Sequence, residues 1–322
     1  MPLEYNHNKM RFLFISHSPK EEVTWKYTNS HMIHSRNLKN LGHEVAYIPK
    51  EDWKKITFMV RNYKPDVIIT TGVIAGTVAW MKKLHLIKCK QLIYYWADNY
   101  EEIMGETHGK RLVRFLEKSA VKYSDKVITI SKYRLERGKK EFKKTEGKNI
   151  FYLPLGYNKT FLNNAKPQIL PGSNRIKAVY CGGLTRSKGF PEIENEMEKI
   201  SNVDFTIIGD DADRKHPEDK SNVFHLGWKN PEDIYSYLIS ADFLLVTEDN
   251  DSSLKLFEYQ VLGSPVLTKR GRISKYLNMK NCVFYDNFSE VKDLVKTSRR
   301  FSRQKVKTWE DLSYEMLDII RK

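Results

Sequence analysis

A short helical stretch near the end of the chain combines an apolar face with a carboxylate. Apolar side chains recur at helical spacing between Leu254 and Leu262, and Gly263 followed by Pro265 marks the end of the helix. Residues 266–268 are predicted to form a buried strand. Glu258 lies among the apolar positions. A carboxylate in such a place either faces solvent or holds a polar group, because glutamate is almost never fully buried without a partner.

A glycine-rich loop follows a predicted strand at residues 176–181. It contains Gly182, Gly183, Arg186 and Lys188 and precedes a predicted helix. Glycines let the backbone approach a ligand closely, and the amides at a helix N-terminus attract phosphate. The two cationic side chains add the charge that a diphosphate requires. The pattern therefore predicts a phosphate-binding loop.

The composition limits the kind of protein. A chain of 322 residues fits two domains, and it contains no apolar run of the length that a membrane-spanning helix needs. Residues 1–10 are polar and lack the apolar core of a signal peptide. Cys89, Cys181 and Cys282 are too widely spaced for a zinc site or a disulfide framework. These features predict a cytoplasmic protein with reduced thiols.

The net charge of +15 is concentrated in the first half of the chain. Residues 1–160 contain 30 lysines and arginines against 16 acidic residues. Such a field suits an anionic partner, either a membrane surface, a phosphorylated acceptor or nucleic acid. Alternatively, the lysine-rich faces only keep the protein soluble. The segment 74–86, with Trp80 and Met81 beside Lys82 and Lys83, is predicted to be a helix that either packs on the core or lies on an anionic membrane.

Short apolar strands alternate with helices in two series, which a segment rich in Asn, Pro, Lys and Gly at 157–174 separates. This alternation predicts an α/β protein whose parallel sheets are covered by helices on both faces. Ligands of such sheets bind outside the carboxyl ends of the strands.

Three segments, in order, are similar to motifs of the GT4-like group of GT-B glycosyltransferases. Ser253–Thr268 resembles the family's "KLFEYxAxGxPVV" segment, 182–189 resembles "GxLxxxKG", and 223–228 resembles "VxFLG". The resemblance implies the GT-B fold, with two Rossmann-like doubly wound domains and a cleft between them. It places an acceptor domain at 1–160, a nucleotide-sugar domain at 161–303, and at 304–322 a helix that crosses back to the first domain. In that helix Trp309, Leu312, Met316 and Ile319 or Ile320 are expected to be buried.

The resemblance also assigns residues to the nucleotide-sugar. Glu258 would hold the ribose, Lys188 the diphosphate with Arg186 as a second cation, and Trp228 either stacks on the base or packs in the protein. Asn250 occupies the position of a family carboxylate that contacts the sugar. The other expected contacts to the sugar donor are Gly182, Gly183, Gly209, Ser253, Leu254 and Lys255.

In the first domain, Ala97-Asp98 stands where relatives often show His-Asp. The resemblance gives Asp98 a catalytic role beside Lys188 and Arg186, and it gives His17, Ser18 and Trp96 to the acceptor. The DxD-like sequence at 211–213 follows the family's "IIGDG" loop and is interpreted as part of that loop. No essential metal and no cofactor are therefore expected.

The implied activity is that of a retaining hexosyltransferase. It would move a sugar from a UDP- or GDP-sugar to a glycan or lipid-linked acceptor, with peripheral contact of the basic half with an anionic membrane. The alternative is a catalytically impaired GT-B subunit that supports a partner enzyme. A UDP-sugar epimerase would turn over its substrate without an acceptor, and no nucleic-acid partner is expected. The chain has no GxSxG or Walker A sequence, and no GxGxxG after the first strand.

Overall fold

Two parallel sheets organise the chain, one in each of its two units. A computed structural model describes residues 9–17, 29–97, 109–185, 190–210, 219–298 and 300–322. One unit comprises Met1–Pro154 with Trp309–Lys322, and the other comprises Leu155–Thr308. The described part of each unit contains a six-stranded sheet. The division at Pro154 lies six residues before the predicted boundary, and the segment 157–174 opens the second unit.

The first unit alternates strands and helices, and strands such as Val67–Thr70 are buried along their whole length, as expected for a sheet covered on both faces. Its strands are β1 (Arg11–Ile15), β2 (Glu44–Ile48), β3 (Val67–Thr70), β4 (Gln91–Trp96), β5 (Lys126–Thr129) and β6 (Ile150–Tyr152). Its helices are α1 (Ser30–Asn40), α2 (Ile56–Tyr63, preceded by a 3₁₀ turn at Lys50–Lys55), α3 (Ile74–Lys83), α4 (Lys110–Tyr123) and α5 (Lys132–Phe142). Ser131 caps α5, because its Oγ accepts a hydrogen bond from the backbone N–H of Arg134 at 3.1 Å.

The strand order of the first sheet is β2-β1-β3-β4-β5-β6, with every pairing parallel. The chain therefore reverses its direction of winding between β1 and β3. Loops that leave two such strands diverge and form a crevice, which is where doubly wound sheets bind ligands. Ser16 and His17 follow β1, and Thr71 follows β3, so these residues lie at the crevice of the first unit.

The second unit has the strand order β12-β11-β10-β7-β8-β9, again entirely parallel. Its strands are β7 (Ile176–Cys181), β8 (Val203–Ile208), β9 (Val223–His225), β10 (Phe243–Val246), β11 (Val266–Lys269) and β12 (Cys282–Tyr285). Its helices are α6 (Lys159–Asn164), α7 (Phe190–Glu198), α8 (Pro231–Leu238), α9 (Leu254–Gln260), α10 (Arg272–Tyr276) and α11 (Val291–Thr297). The winding reverses between β7 and β10, so the loops after these two strands border the crevice.

The last helix, α12 (Trp309–Arg321), packs on the first unit. Its buried side chains include the predicted Trp309, Leu312, Met316, Ile319 and Ile320. Contacts to α1 hold it there: Asn37 Nδ2 donates to the carbonyl of Trp309 at 3.1 Å, and Ser313 Oγ lies 2.9 Å from Nδ1 of His34. The helix begins later than the predicted residue 304, because residues 304–307 form no helix and Thr308 pairs with Tyr157.

Candidate functional site

Two glycine loops in close backbone contact lie at the carboxyl edge of the second sheet, and the first of them borders the crevice. The N–H of Gly182, directly after β7, donates to the carbonyl of Ile208 at 2.8 Å. The N–H of Gly209, directly after β8, donates to the carbonyl of Gly227 at 3.0 Å. Gly209 has a φ of 152°, and a Cβ there would overlap the carbonyl oxygen of Gly182. Only glycine fits this close approach, which keeps the backbone of both loops free of side chains at the sheet edge.

Glu258 lies on α9, beside the same crevice, and is hydrogen-bonded to a tyrosine. Its Oε1 accepts a hydrogen bond from the hydroxyl of Tyr235 on α8 at 3.0 Å. Tyr235 is itself 2% exposed, and its hydroxyl accepts a longer hydrogen bond from the N–H of Asn158 at 3.4 Å. The glutamate is thus partly buried and holds the hydroxyl of a core tyrosine, which is the second of the two alternatives and not a solvated face.

Burial dominates the electrostatics of Glu258. Removal from water raises the pKa of its carboxyl group to about 7, although the Tyr235 hydrogen bond and the charge of Lys255 both lower it. Near neutral pH the carboxyl group is therefore divided between a proton donor and a charged acceptor. A ligand that supplies hydroxyl groups would favour the charged form, because a carboxylate accepts such hydrogen bonds more strongly.

Lys255 brings a positive charge to the first glycine loop. Its ammonium group lies 5.6 Å from the centre of the Tyr180 ring and against the Cα of Gly182. The Tyr180 hydroxyl donates to the carbonyl of Gly183 at 2.7 Å, which fixes the loop beside the lysine. A cation, a helix and glycine backbone thus meet at the carboxyl end of β7, where an anionic group of a ligand would be stabilised.

The loop after β10 places two further polar groups at the start of α9. Asn250 Oδ1 accepts hydrogen bonds from the N–H and the hydroxyl of Ser252, at 3.1 and 2.7 Å. The hydroxyl of Ser253 donates to Oε1 of Glu248 at 2.5 Å. The role of Asn250 as the sugar contact stays a prediction, and Glu248 is a further carboxylate of the same loop. The proximity of Glu248 to Asn250 in the sequence is the signal that could indicate it.

Other predicted sugar-donor contacts lie on the same loops and helix. Leu254 is partly buried at the first turn of α9. Trp228 is 55% exposed in the loop after β9, one residue beyond Gly227, so its ring is accessible for stacking. The predicted residues Arg186, Lys188, Ser18 and Asp98 lie outside the described residues, as do 211–213.

The crevice of the first unit contains a buried polar cluster formed by Ser16, His31 and Thr71. Nε2 of His31 lies 3.0 Å from the Ser16 hydroxyl, which accepts from Thr71 Oγ1 at 3.3 Å. Burial lowers the pKa of His31 to about 4, so the ring is neutral at neutral pH. His17 is exposed beside this cluster, with its ring 5.5 Å from that of Trp53.

The predicted acceptor residue Trp96 has a different environment. Its side chain is fully buried and packs against Tyr94 at 6.1 Å and Phe142 at 6.2 Å between ring centres. The position at the end of β4 follows the prediction, but the ring contributes to the core of the first unit. The indole is therefore inaccessible to a ligand.

Within the described ranges, no three His, Cys, Asp or Glu side chains are grouped as metal ligands. Among the same residues, no helix has both the length and the apolar character that crossing a bilayer requires.

No protein-family model matches the chain, and no curated protein does. Several solved structures are similar to the chain. Sucrose-phosphate synthase from Thermosynechococcus elongatus has a TM-score of 0.73 at 14% identity, over 97% of this chain and 98% of that one. An alpha-glucosyltransferase in complex with UDP-glucose and DNA containing an abasic site has a TM-score of 0.58 at 15% identity, over 98% and 100%. A UDP-N-acetylglucosamine 2-epimerase has a TM-score of 0.51 at 12% identity, over 96% and 95%. The predicted GT-B fold is confirmed, with two Rossmann-like parallel-sheet units.

Proposed function

We propose that the protein is a glycosyltransferase that moves a sugar from a UDP- or GDP-sugar to a glycan or lipid-linked acceptor with retention of configuration. The proposal rests on the hydrogen bond from the Tyr235 hydroxyl to Oε1 of Glu258, 3.0 Å long. This pair lies beside the glycine loops of a doubly wound sheet. The alpha-glucosyltransferase with the same fold was solved with UDP-glucose, which supports a nucleotide-sugar as the ligand of this crevice.

In the proposed complex, the ionised carboxylate of Glu258 accepts hydrogen bonds from the ribose hydroxyls. The diphosphate lies at the loops of Gly182 and Gly209, where Lys255 already places an ammonium group. Lys188 and Arg186 are proposed as further cations for the diphosphate. Trp228, whose ring is accessible, would stack on the base.

In the proposed reaction these residues stabilise the leaving group, which is the nucleoside diphosphate. The bond between the anomeric carbon and the diphosphate oxygen breaks, and the acceptor hydroxyl bonds to that carbon from the same face. The hydroxyl proton passes to the departing phosphate oxygen, so no protein nucleophile is needed. Fixed cations and amides near the diphosphate act where charge develops, which is where electrostatic stabilisation lowers a barrier most. Asp98 is proposed to contact the acceptor or the transferred sugar.

The acceptor is proposed to bind the first unit, at the crevice formed by the loops after β1 and β3. His17 follows β1 at this crevice, and the neutral His31 nearby can accept a hydrogen bond from a hydroxyl. Ser18, the next residue in the sequence, is proposed as a further contact. The basic first half of the chain suits a phosphorylated, lipid-linked acceptor at the cytoplasmic face of a membrane.

Turnover with defined substrates tests the proposal. The protein is incubated with UDP-glucose, UDP-galactose or GDP-mannose and with lipid-linked acceptors, and nucleotide release and product configuration are measured. We expect the nucleotide to be released only when an acceptor is present. We also expect the anomeric configuration of the product to be the same as that of the sugar nucleotide. Inversion of the linkage would contradict retention, and isomerisation of the sugar nucleotide without acceptor would indicate an epimerase.

The second candidate function is a catalytically impaired subunit that supports a partner transferase. It is favoured by Asn250, whose side-chain oxygen is engaged by Ser252, and by Ala97 at the family's histidine position. Nucleotide-sugar binding without turnover by the isolated protein, followed by stimulation of a co-purified transferase, would support it.

A further inference from the structure

The helices α3 and α4 form one surface of the first unit. They lie so close that a Cβ on Gly76 would overlap the backbone of Leu116. The indole N–H of Trp80 donates to Ser119 Oγ at 3.0 Å, and the Trp80 ring stacks on Phe115 with 6.3 Å between ring centres and 22° between planes. These contacts fix the two helices as a single rigid face.

Large apolar side chains project from this face instead of packing beneath it. Leu112 is 61% exposed and Phe115 is 51% exposed on α4, while Val113 and Ala120 of the same helix are buried. Leu84 follows α3 by one residue, lies one turn beyond Trp80, and is 58% exposed. Exposed leucine and phenylalanine grouped in this way mark a contact surface more often than scattered ones do.

Positive charges predominate around the apolar group, although Asp125, just beyond α4, pairs with Lys82. Residues 74–90 and 109–124 contain nine lysines and arginines and a single carboxylate, Glu117. That carboxylate is buried and accepts a hydrogen bond from Arg137 at 3.1 Å. The exposed side of α4 therefore presents basic residues beside the apolar ones, and these are Arg111, Arg114, Lys118 and Lys122.

We infer that the α3–α4 face, consisting of Trp80, Leu84, Leu112 and Phe115 with the basic residues just named, docks on an anionic lipid bilayer. Its apolar side chains enter the headgroup region while the lysines and arginines remain at the level of the lipid phosphates. A folded anionic protein or a nucleic acid would match the charge alone, whereas a bilayer also accepts the exposed leucines and phenylalanine. The inference extends the proposed function by giving a surface for meeting a lipid-linked acceptor.

Co-sedimentation with vesicles, without sugar donor or acceptor, tests this inference independently of catalysis. Vesicles of phosphatidylcholine alone are compared with vesicles containing about one third phosphatidylglycerol. We expect binding to the anionic vesicles that declines with salt, at least tenfold weaker binding for the Leu112→Ser/Phe115→Ser variant, and a similar loss for Arg111→Glu/Arg114→Glu. Equal binding to both vesicle types, or no effect of either double variant, would overturn the inference.

A matched control lies on another helix of the same unit. Phe58 is 64% exposed on α2, and Arg61, one turn later, is also exposed. The Phe58→Ser/Arg61→Glu variant should bind anionic vesicles as the parent does. The melting temperature of each variant shows whether it folds. If the Leu112→Ser/Phe115→Ser variant does not fold, the single variant Leu112→Ser replaces it. If the parent dimerises with increasing concentration and does not bind lipid, and the Leu112→Ser/Phe115→Ser variant stays monomeric, the face binds a second copy of the chain. That result would overturn the inference of a bilayer.

Discussion

The hydroxyl of Tyr235 donates to Oε1 of Glu258 at 3.0 Å, across two helices that are 23 residues apart in the chain. The tyrosine is a core residue, so the orientation of the carboxylate is set by the packing of the second unit. A preorganised acceptor of this kind binds a hydroxyl-bearing ligand without first losing side-chain freedom. It is also removed from water, and this has a measurable consequence for pH.

The stability of the second unit should fall as pH rises toward neutrality because of Glu258. Its carboxyl group ionises near 4.5 in the unfolded chain, and burial raises the pKa to about 7 in the folded protein. Between these two pH values the carboxyl group is protonated in the folded state and ionised in the unfolded chain. The free energy of unfolding therefore decreases as pH rises from 4.5 to about 7. Glu258→Gln should stabilise the protein by up to about 3 kcal/mol near pH 8 and have little effect near pH 4. Denaturant unfolding at both pH values measures this, and an equal offset at both would contradict it.

Gly209→Ala should disrupt the contact of the two glycine loops. A Cβ would overlap the carbonyl oxygen of Gly182, and the φ of 152° is unfavourable for alanine. We expect a loss of about 2–4 kcal/mol in the free energy of unfolding. Gly183→Ala is the matched control, because its Cβ would meet no atom within 4 Å. Similar melting temperatures for the two variants would show that the close approach is unimportant.

Lys126 should anchor the last helix. Its buried ammonium group donates to the carbonyls of Ile319 and Ile320 at 2.8 and 2.9 Å, satisfying the unpaired end of α12. Lys126→Ala should lower the free energy of unfolding by about 2–3 kcal/mol and increase amide exchange in α12. Lys122→Ala, at an exposed position on α4, should change neither. If amide exchange in α12 is the same in the Lys126→Ala variant as in the parent, Lys126 does not anchor the helix.

Acid should destabilise the first unit through its buried histidines. Burial lowers the pKa of His31 to about 4 and, together with the charge of His31, that of His34 to about 3. The unfolded chain binds these protons near pH 6.5, so stability is lost as pH falls from about 6.5 toward 4. His31→Gln should flatten this slope by up to about 3 kcal/mol, whereas the exposed His85→Gln should not. Parallel pH profiles for the His31→Gln variant and the parent would contradict the prediction.

Local patterns predicted those features that depend on neighbouring residues. The helix at Leu254, its glycine stop and the following strand depend on spacing and on Gly263, which has a φ of 79°. The buried side of α12 follows from the spacing of Trp309, Leu312 and Met316. The last turn of α3 was predicted too long, because His85 has a positive φ that ends the helix.

Features that depend on tertiary contacts could not be predicted. Nothing in the sequence near Tyr235 indicates that its hydroxyl meets Glu258, because the contact joins separate βα units. The apolar run that ends in Trp96 predicted its strand but not that the ring turns into the core. The division after Pro154 depends on the packing of α6 against α8, which makes a polar segment part of the second unit.

Nucleotide-sugar binding by the Glu258→Ala variant tests the central claim most directly. The parent, Glu258→Ala and Glu232→Ala, a control at an exposed glutamate of α8, are titrated with UDP-, GDP- and ADP-sugars by calorimetry. We expect at least one class of sugar nucleotide to bind the parent and Glu232→Ala equally, and to bind a folded Glu258→Ala variant about tenfold or more weakly, since a hydrogen bond to a charged group is lost. Binding of none of them to the parent, or undiminished binding to Glu258→Ala, would contradict the account.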